Sequence, residues 1–238
     1  MKLFVHSSPK KGENLENNQD SISFDSKKKL FSVCDGVSRS SFSNLWSKII
    51  CEKFVTEPFI EKDVSKEFLG TWIQESKKSL EEKISKLDID PMILDVAKDN
   101  GSATTFLGIQ ITKENNSKFA KIWAIGDSNA FQIRKKKIIQ AFPIKSPDDF
   151  STLTYAISSI DENNDFKFLF EKWGLRKNDI LLFATDAFSK WFFESYLRGQ
   201  KPWKKIIKKF STIQDLIESQ RTKNNLENDD TSFIMIQI

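Results

Sequence analysis

The chain has 238 residues, with 37 Lys and Arg against 33 Asp and Glu for a formal net charge of +4, and it is 39% hydrophobic and 29% charged. This composition describes a globular protein with a charged surface and one sizeable core, so a single domain over residues 1–238 is expected. No apolar run approaches a membrane span, the opening Met1 to His6 lacks the apolar core of a signal peptide, and so mild a charge does not by itself call for nucleic acid. The lack of a span and of a signal core predicts a cytoplasmic setting, and Cys34 and Cys51, which form no metal-binding or disulfide pattern, are expected to be buried free thiols. His6, the one histidine, is poorly placed for His-based catalysis.

In chain order, Leu3 to His6 reads as a strand, followed by a polar loop from Ser7 to Asn18. Ile22 to Phe24 alternates as a strand does, which places Asp20 at a strand start. Lys27 to Lys29 reads as a hairpin turn into Phe31-Ser32-Val33-Cys34, a buried strand that stops at Asp35 and Gly36. Gly36 has no Cβ, so its backbone can bend sharply and approach an ion or ligand closely. Helices are predicted from about Ser43 to Phe54 and through Leu69, Ile73, Leu80, Ile84 and Leu87, which share a stripe opposite a charged face.

Strands follow at Thr104 to Ile111 and Phe119 to Ile125, punctuated by Asn115-Asn116. Gly126-Asp127-Ser128 reads as a tight turn with Asp127 structural, and Phe131 to Ile139 as a strand or hairpin. Phe142 to Lys172, with its acidic loop Asp161 to Asp165, gives mixed signals and no assignment. Ile180 to Ala184 is a second buried-strand run ending at an acid, Asp186. Helices are expected from Ala187 to Leu197, Pro202 to Phe210 and Ile213 to Lys223, and Asn228-Asp229-Asp230 precedes a last strand, Ser232 to Ile238. The order of elements favours an α+β layered fold over a βαβ alternation. Trp191, Phe192, Phe193 and Trp203 are read as core, and the basic clusters Arg134 to Lys137 and Lys201 to Lys209 as solvated faces rather than a nucleic-acid contact.

Four acids share one context, because Asp20, Asp35, Asp186 and Asp229 each stand where a strand begins or ends. Carboxylates gathered at one sheet edge repel each other and resist burial unless a cation neutralises them. An all-oxygen set suits Mg²⁺ or Mn²⁺ rather than zinc.

Asn18-Gln19-Asp20, Val33-Cys34-Asp35-Gly36-Val37, Ser102-Ala103-Thr104-Thr105, Ala124-Ile125-Gly126-Asp127-Ser128, Leu182-Phe183-Ala184-Thr185-Asp186 and Asn228-Asp229-Asp230-Thr231 occur in the order of the motifs of metal-dependent type 2C Ser/Thr protein phosphatases. The chain resembles the bacterial 2C-like branch of that family. The resemblance implies a four-layer α/β/β/α sandwich of two mainly antiparallel sheets flanked by helices. It also implies hydrolysis of phosphoserine or phosphothreonine in a protein partner, such as a Ser/Thr kinase or its target, by a hydroxide bridging two Mn²⁺ or Mg²⁺ ions. Asp35 matches the aspartate that bridges the metals, Gly36 the glycine whose carbonyl binds one of them, and Asp186 and Asp229 the remaining carboxylates. Asp20 matches the acid that holds metal-bound water. The catalytic assignment thus rests on Asp35 and Asp186.

Four positions depart from the family pattern. Leu15 stands where the family has a phosphate-binding arginine, so Arg39, Lys10 and Lys11 are the candidates to hold the substrate phosphate. Asn100, beside Asp99, replaces the acid of a third metal site and puts that site in question. Val37 replaces the general-acid histidine, leaving protonation of the leaving group to water, and Ala187 replaces a glycine. Leu15 and Asn100 also motivate a rival reading, a pseudophosphatase that serves as a binding or scaffold module.

Overall fold

The computed structural model describes residues 1–59, 64–150, 155–160 and 168–238; the acidic loop Asp161 to Asp165 lies outside the described residues. Strands β1 (Lys2–Ser8), β2 (Ser21–Asp25) and β3 (Leu30–Cys34) are followed by helices α1 (Ser43–Thr56), α2 (Lys66–Ile84) and α3 (Pro91–Asn100). A two-residue β4 (Ala103–Thr104) leads into β5 (Phe106–Glu114), β6 (Ser117–Ile125), β7 (Asn129–Arg134) and β8 (Lys137–Phe142). Short β9 (Ile157–Ser158) pairs with β4, and β10 (Leu169–Leu175) and β11 (Ile180–Ala184) follow. Helices α4 (Asp186–Leu197), α5 (Pro202–Lys208) and α6 (Ile213–Thr222) then precede β12 (Thr231–Gln237).

The strands form two five-stranded sheets, ordered β1-β12-β11-β7-β8 and β10-β6-β5-β3-β2, with antiparallel pairing throughout. Side chains alternate across a strand, and that period sorts the apolar residues into three layers. On β11, Leu181 and Phe183 enter the layer between the sheets, while Leu182 and Ala184 lie beneath α4, α5 and α6. On β3, Phe31 and Val33 enter the shared layer, while Leu30 and Cys34 pack toward α1 and α2. Each tryptophan is buried in one layer: Trp191 and Trp203 under α4 to α6, Trp46, Trp72 and Trp123 under α1 and α2, and Trp173 between the sheets. Burying a large apolar side chain contributes about 1.5–3 kcal/mol, so the three layers are the main source of stability. Trp191, Phe192, Phe193 and Trp203 are core, as read from the sequence. Cys34 and Cys51 are buried free thiols, and burial, with the neighbouring Cys51, holds the Cys34 thiol well above its usual range, in its unreactive protonated form.

Besides the two-residue β9, helix α3 and strand β10 escape the sequence reading. Helix α3 starts at Asp90, whose side chain accepts from the Met92 N–H at 2.8 Å, with Pro91 in its first turn, a normal start signal. Strand β10 begins within the unassigned stretch and pairs with β6 from Leu169 opposite Ala124 to Leu175 opposite Lys118.

Register fixes the rim where the acids meet. Ser21 faces Cys34 across β2 and β3, so Asp20 and Asp35 leave the sheet side by side. Ala184 faces Phe233 across β11 and β12, which brings the Thr185-Asp186 turn against the segment that enters β12.

Candidate functional site

Asp35 is held by its backbone. Its N–H donates to Thr105 Oγ1 at 3.1 Å, and its carbonyl accepts from Thr104 Oγ1 and from the Thr105 N–H, both at 2.8 Å. With the main chain locked on both sides, the carboxylate projects from the rim. Gly36 follows in an isolated bridge to Thr104. The flanking bonds run from the Val37 N–H to Ala103 O and from the Thr105 N–H to Asp35 O, so the Gly36 carbonyl is left out of the ladder. A Cβ at this position would lie 2.7 Å from Gln19 O and 2.9 Å from Ser43 O. Both neighbours are backbone atoms with little freedom to move, so the fold admits only glycine here.

Asp186 is the first residue of α4, where the exposed N–H groups of the helix favour an anion, and it accepts from the Ala187 N–H. Asp20 is buried: its Oδ2 accepts from Thr185 Oγ1 at 2.9 Å, while its Oδ1 is buried with no partner. Asp229 is half-buried, and its Oδ1 accepts from the Asp230 N–H at 2.8 Å.

The charges are strongly frustrated. Burial first, then the charges of Asp186, Asp20, Asp127 and Asp229, push the Asp35 carboxyl well above the usual carboxylate range. Burial and the charge of Asp230 do the same to Asp20, against the hydrogen bond from Thr185. Burial raises Asp186 and Asp229 too, in each case partly offset by a backbone N–H. Asp35 and Asp186 lie within hydrogen-bonding reach of each other. All four predicted acids therefore converge, and the charge of Asp127 also reaches Asp35.

Among the described residues, no three His, Cys, Asp or Glu side chains are already set around a common point for an ion. The chemistry of the donor set nevertheless fits one. It consists of hard oxygens, one of them an orphaned buried carboxylate atom, and a backbone carbonyl in a cradle that a Cβ would fill.

The three predicted phosphate-binding cations are placed differently. Lys10 is half-buried, its N–H donates to Asp230 Oδ1 at 2.8 Å, and its positive charge acts on Asp229. Lys11 is exposed and is tied through its N–H to Asn228 Oδ1 at 2.8 Å. Arg39 is exposed on the turn closed by the Ser40 N–H and Val37 O. Leu15, at the position of the family arginine, is 75% exposed.

Supporting residues were missed. Asp230 takes the N–H groups of Lys10 and Gln19 on its two oxygens at 2.8 and 2.7 Å, so it fastens the first loop to the entry of β12. Buried Arg221 donates to the carbonyls of Pro9 and Asp229 at 3.0 and 2.6 Å and to Thr231 Oγ1 at 3.0 Å. A lone arginine on a polar helix carries no sequence signal for such a role; the Asp229-Asp230 pair did, although it could not say which acid faces the cluster.

Helices outside two face-to-face antiparallel sheets, with carboxylates converging at one rim, define the class: an α+β sandwich whose site is built from oxygen donors. The profile of protein phosphatase 2C matches residues 11–228, so the chain belongs to the protein phosphatase 2C family and is a protein serine/threonine phosphatase. Solved structures share the fold. The serine/threonine phosphatase Stp1 from Staphylococcus aureus is 16% identical with a TM-score of 0.65, the match covering 100% of this chain and 95% of that one. The photosystem II phosphatase PBCP is 13% identical with a TM-score of 0.64, covering 100% and 98%. The catalytic domain of the serine threonine protein phosphatase PstP, in complex with two manganese ions, is 13% identical with a TM-score of 0.61, covering 98% and 96%. No curated protein sequence matches the chain. Among the described residues, no helix is long and apolar enough to cross a membrane.

Proposed function

We propose that the chain works as one cytoplasmic domain that hydrolyses phosphoserine or phosphothreonine in a protein partner, a Ser/Thr kinase or its target. Asp35, Asp186, Asp229 and the Gly36 carbonyl would hold two Mg²⁺ or Mn²⁺ ions, with Asp20 on their water. The observation that carries this reading is the convergence of four buried or half-buried acids that stay raised by burial and by one another's charges, although Lys10 acts on Asp229. Bound divalent ions lower the pKa of water and neutralise a phosphate monoester for in-line attack.

The chain's own residues supply position. Thr104 and Thr105 clamp the Asp35 backbone, which fixes where its side chain leaves the rim. Thr185 donates to one Asp20 oxygen and leaves the other buried and unanswered. Asp230 draws the loop of Lys10 to the rim, which makes Lys10, rather than exposed Lys11 or Arg39, the best placed of the three cations to meet a substrate phosphate. A lysine offers a point charge without the two-pronged grip of the family's arginine.

The test is hydrolysis of a phosphothreonine peptide by purified protein, with and without millimolar Mn²⁺ or Mg²⁺, beside Asp35→Asn and Asp186→Asn. Metal-dependent turnover should fall by more than about 100-fold in both variants, because even groups one step removed from a metal are worth 10–100-fold, while circular dichroism stays native. Wild-type turnover in both variants would sink the metal mechanism. A folded wild-type protein with no turnover would leave a binding module.

A further inference from the structure

At the rim opposite the acids, the turns β7–β8 and β10–β11 and the start of α5 line a half-open cavity of about 540 Å³. Its floor is apolar, formed by Ile133, Ile180, Trp203 and Ile207, with Ile133 and Trp203 each only 2% exposed. Its mouth is cationic: Lys135, Lys136, Arg176, Lys177 and Lys204 all line it and all are exposed. Arg134 is not among these free charges, because its Nε and Nη2 donate to Asp179 at 2.8 and 2.7 Å. None of the five forms an ion pair with a described residue. Five like charges around one cavity repel each other and cost stability unless something anionic answers them.

The backbone points the same way. Lys135 and Lys136 occupy left-handed conformations, φ 48° and 66°, the pair required by the tight hairpin turn that Asn-Gly suits best. The β5–β6 turn has nearly the same pair, φ 45° and 67°, and there the chain uses Asn115 and Asn116. At β7–β8 it accepts the Cβ strain of φ > 0 without the local hydrogen bonding that eases it for asparagine, and gains two ammonium groups at the mouth. The walls are fixed before any ligand arrives, because Arg134 also donates to Gly174 O at 2.9 Å and the Asn178 N–H to Ile238 O at 3.0 Å.

We infer that this cavity binds a nucleoside polyphosphate, with the phosphates on the lysines and Arg176 and the base against the Trp203 and isoleucine floor. The volume is in the range of small-ligand pockets. The charges gather round one half-open cavity rather than along a groove, which suits a compact amphipathic anion better than an extended strand.

The experiment is calorimetric titration with ATP in EDTA, so that no metal can draw its phosphates to the acid rim. A saturable one-to-one isotherm with Kd below about 1 mM is expected, weakening as salt rises from about 50 to about 200 mM. ATP should bind about tenfold tighter than inorganic tripolyphosphate, which lacks the base. The double variant Lys135→Asn, Lys136→Gly installs the favoured turn residues, so its Tm should equal or exceed that of the wild type while ATP binding falls about tenfold or more. Lys204→Gln, on a different element, should weaken binding as well. The site is overturned if no saturable heat appears, or if both variants bind ATP as the wild type does. Equal binding of tripolyphosphate overturns the role of the floor, and an octanucleotide that binds far tighter than ATP would make the surface a nucleic-acid contact instead.

Discussion

Replacing Asp179 by Asn keeps the shape of a buried side chain and removes its charge. The carboxylate is 1% exposed and accepts from Arg134 Nε and Nη2 at 2.8 and 2.7 Å, from Gln132 Nε2 at 2.8 Å and from the Arg176 N–H at 2.8 Å. If the amide oxygen takes the Oδ2 place, three donors are still answered and the Asn NH₂ faces Arg134 Nε, donor against donor. Breaking a buried ion pair costs about 3–5 kcal/mol. The Arg134 side chain is 21% exposed and regains water, so the lower end applies, about 3 kcal/mol. At about 2–4 °C per kcal/mol for a chain of this size, Tm should drop by roughly 6–12 °C in a thermal melt at neutral pH. The dependence on pH has a definite sign. Burial pushes the Asp179 carboxyl up, but the hydrogen bonds from Arg134, Arg176 and Gln132 outweigh it and hold the group below the usual range. A depressed carboxylate stabilises the fold above the unfolded-state pKa of about 3.9 and loses that contribution as pH falls toward its folded value. The gap between wild type and variant should therefore be full at pH 7 and shrink below about pH 4. A Tm change under about 2 °C at pH 7 would show that water already screens this pair and would refute the reasoning.

At the acid rim, Mn²⁺ at about 100 times its Kd should stabilise the wild-type protein by about 2.7 kcal/mol. Asp35→Asn should raise Tm in EDTA by relieving repulsion and blunt the Mn²⁺ response, so an unshifted melt in both conditions would argue against a cation site. Gly36→Ala should cost about 1–3 kcal/mol in urea unfolding and depress turnover further than the stability loss explains, because the new methyl must displace the Gln19 or Ser43 backbone; native stability and turnover would show that the cradle is softer than drawn. Arg221→Met should raise KM and increase proteolytic nicking near Pro9 and Asp229, whose carbonyls it holds, and an unchanged digestion pattern would remove its fastening role.

What the sequence discloses depends on how local each signal is. The strands carrying Asp35 and Asp186 were legible because both are continuous apolar runs that stop at an acid. Their convergence was not a matter of periodicity; it follows from the register of β2 with β3 and β11 with β12, and the motif resemblance supplied it beforehand. Helix α3 was missed although Asp90-Pro91 marks its start, because Met92, Ile93 and Val96 are exposed and leave no buried stripe to recognise. Strand β10 was missed because Glu171, Lys172 and Gly174 interrupt its apolar alternation. The β7–β8 hairpin was legible over Phe131 to Ile139, with Arg134 to Lys137 at its turn, although two lysines stand where asparagine or glycine would announce it. Asp230 and Arg221 act on partners more than 200 residues away, and no window of sequence contains that information.

The partition of the tryptophans gives the molecule built-in optical reporters. Trp173 sits alone between the sheets, with its indole N–H on Glu171, whereas the other five lie beneath one helical layer or the other. Retaining Trp173 and converting the rest to phenylalanine would make fluorescence follow the parting of the two sheets, and retaining Trp191 or Trp72 would follow the peeling of the helices on either side. Coincident denaturation curves from the three reporters would describe one cooperative unit. An early red shift from Trp72 alone would mean that the layer over β3 loosens first, exposing the strand that delivers Asp35 while the rest of the sandwich still stands.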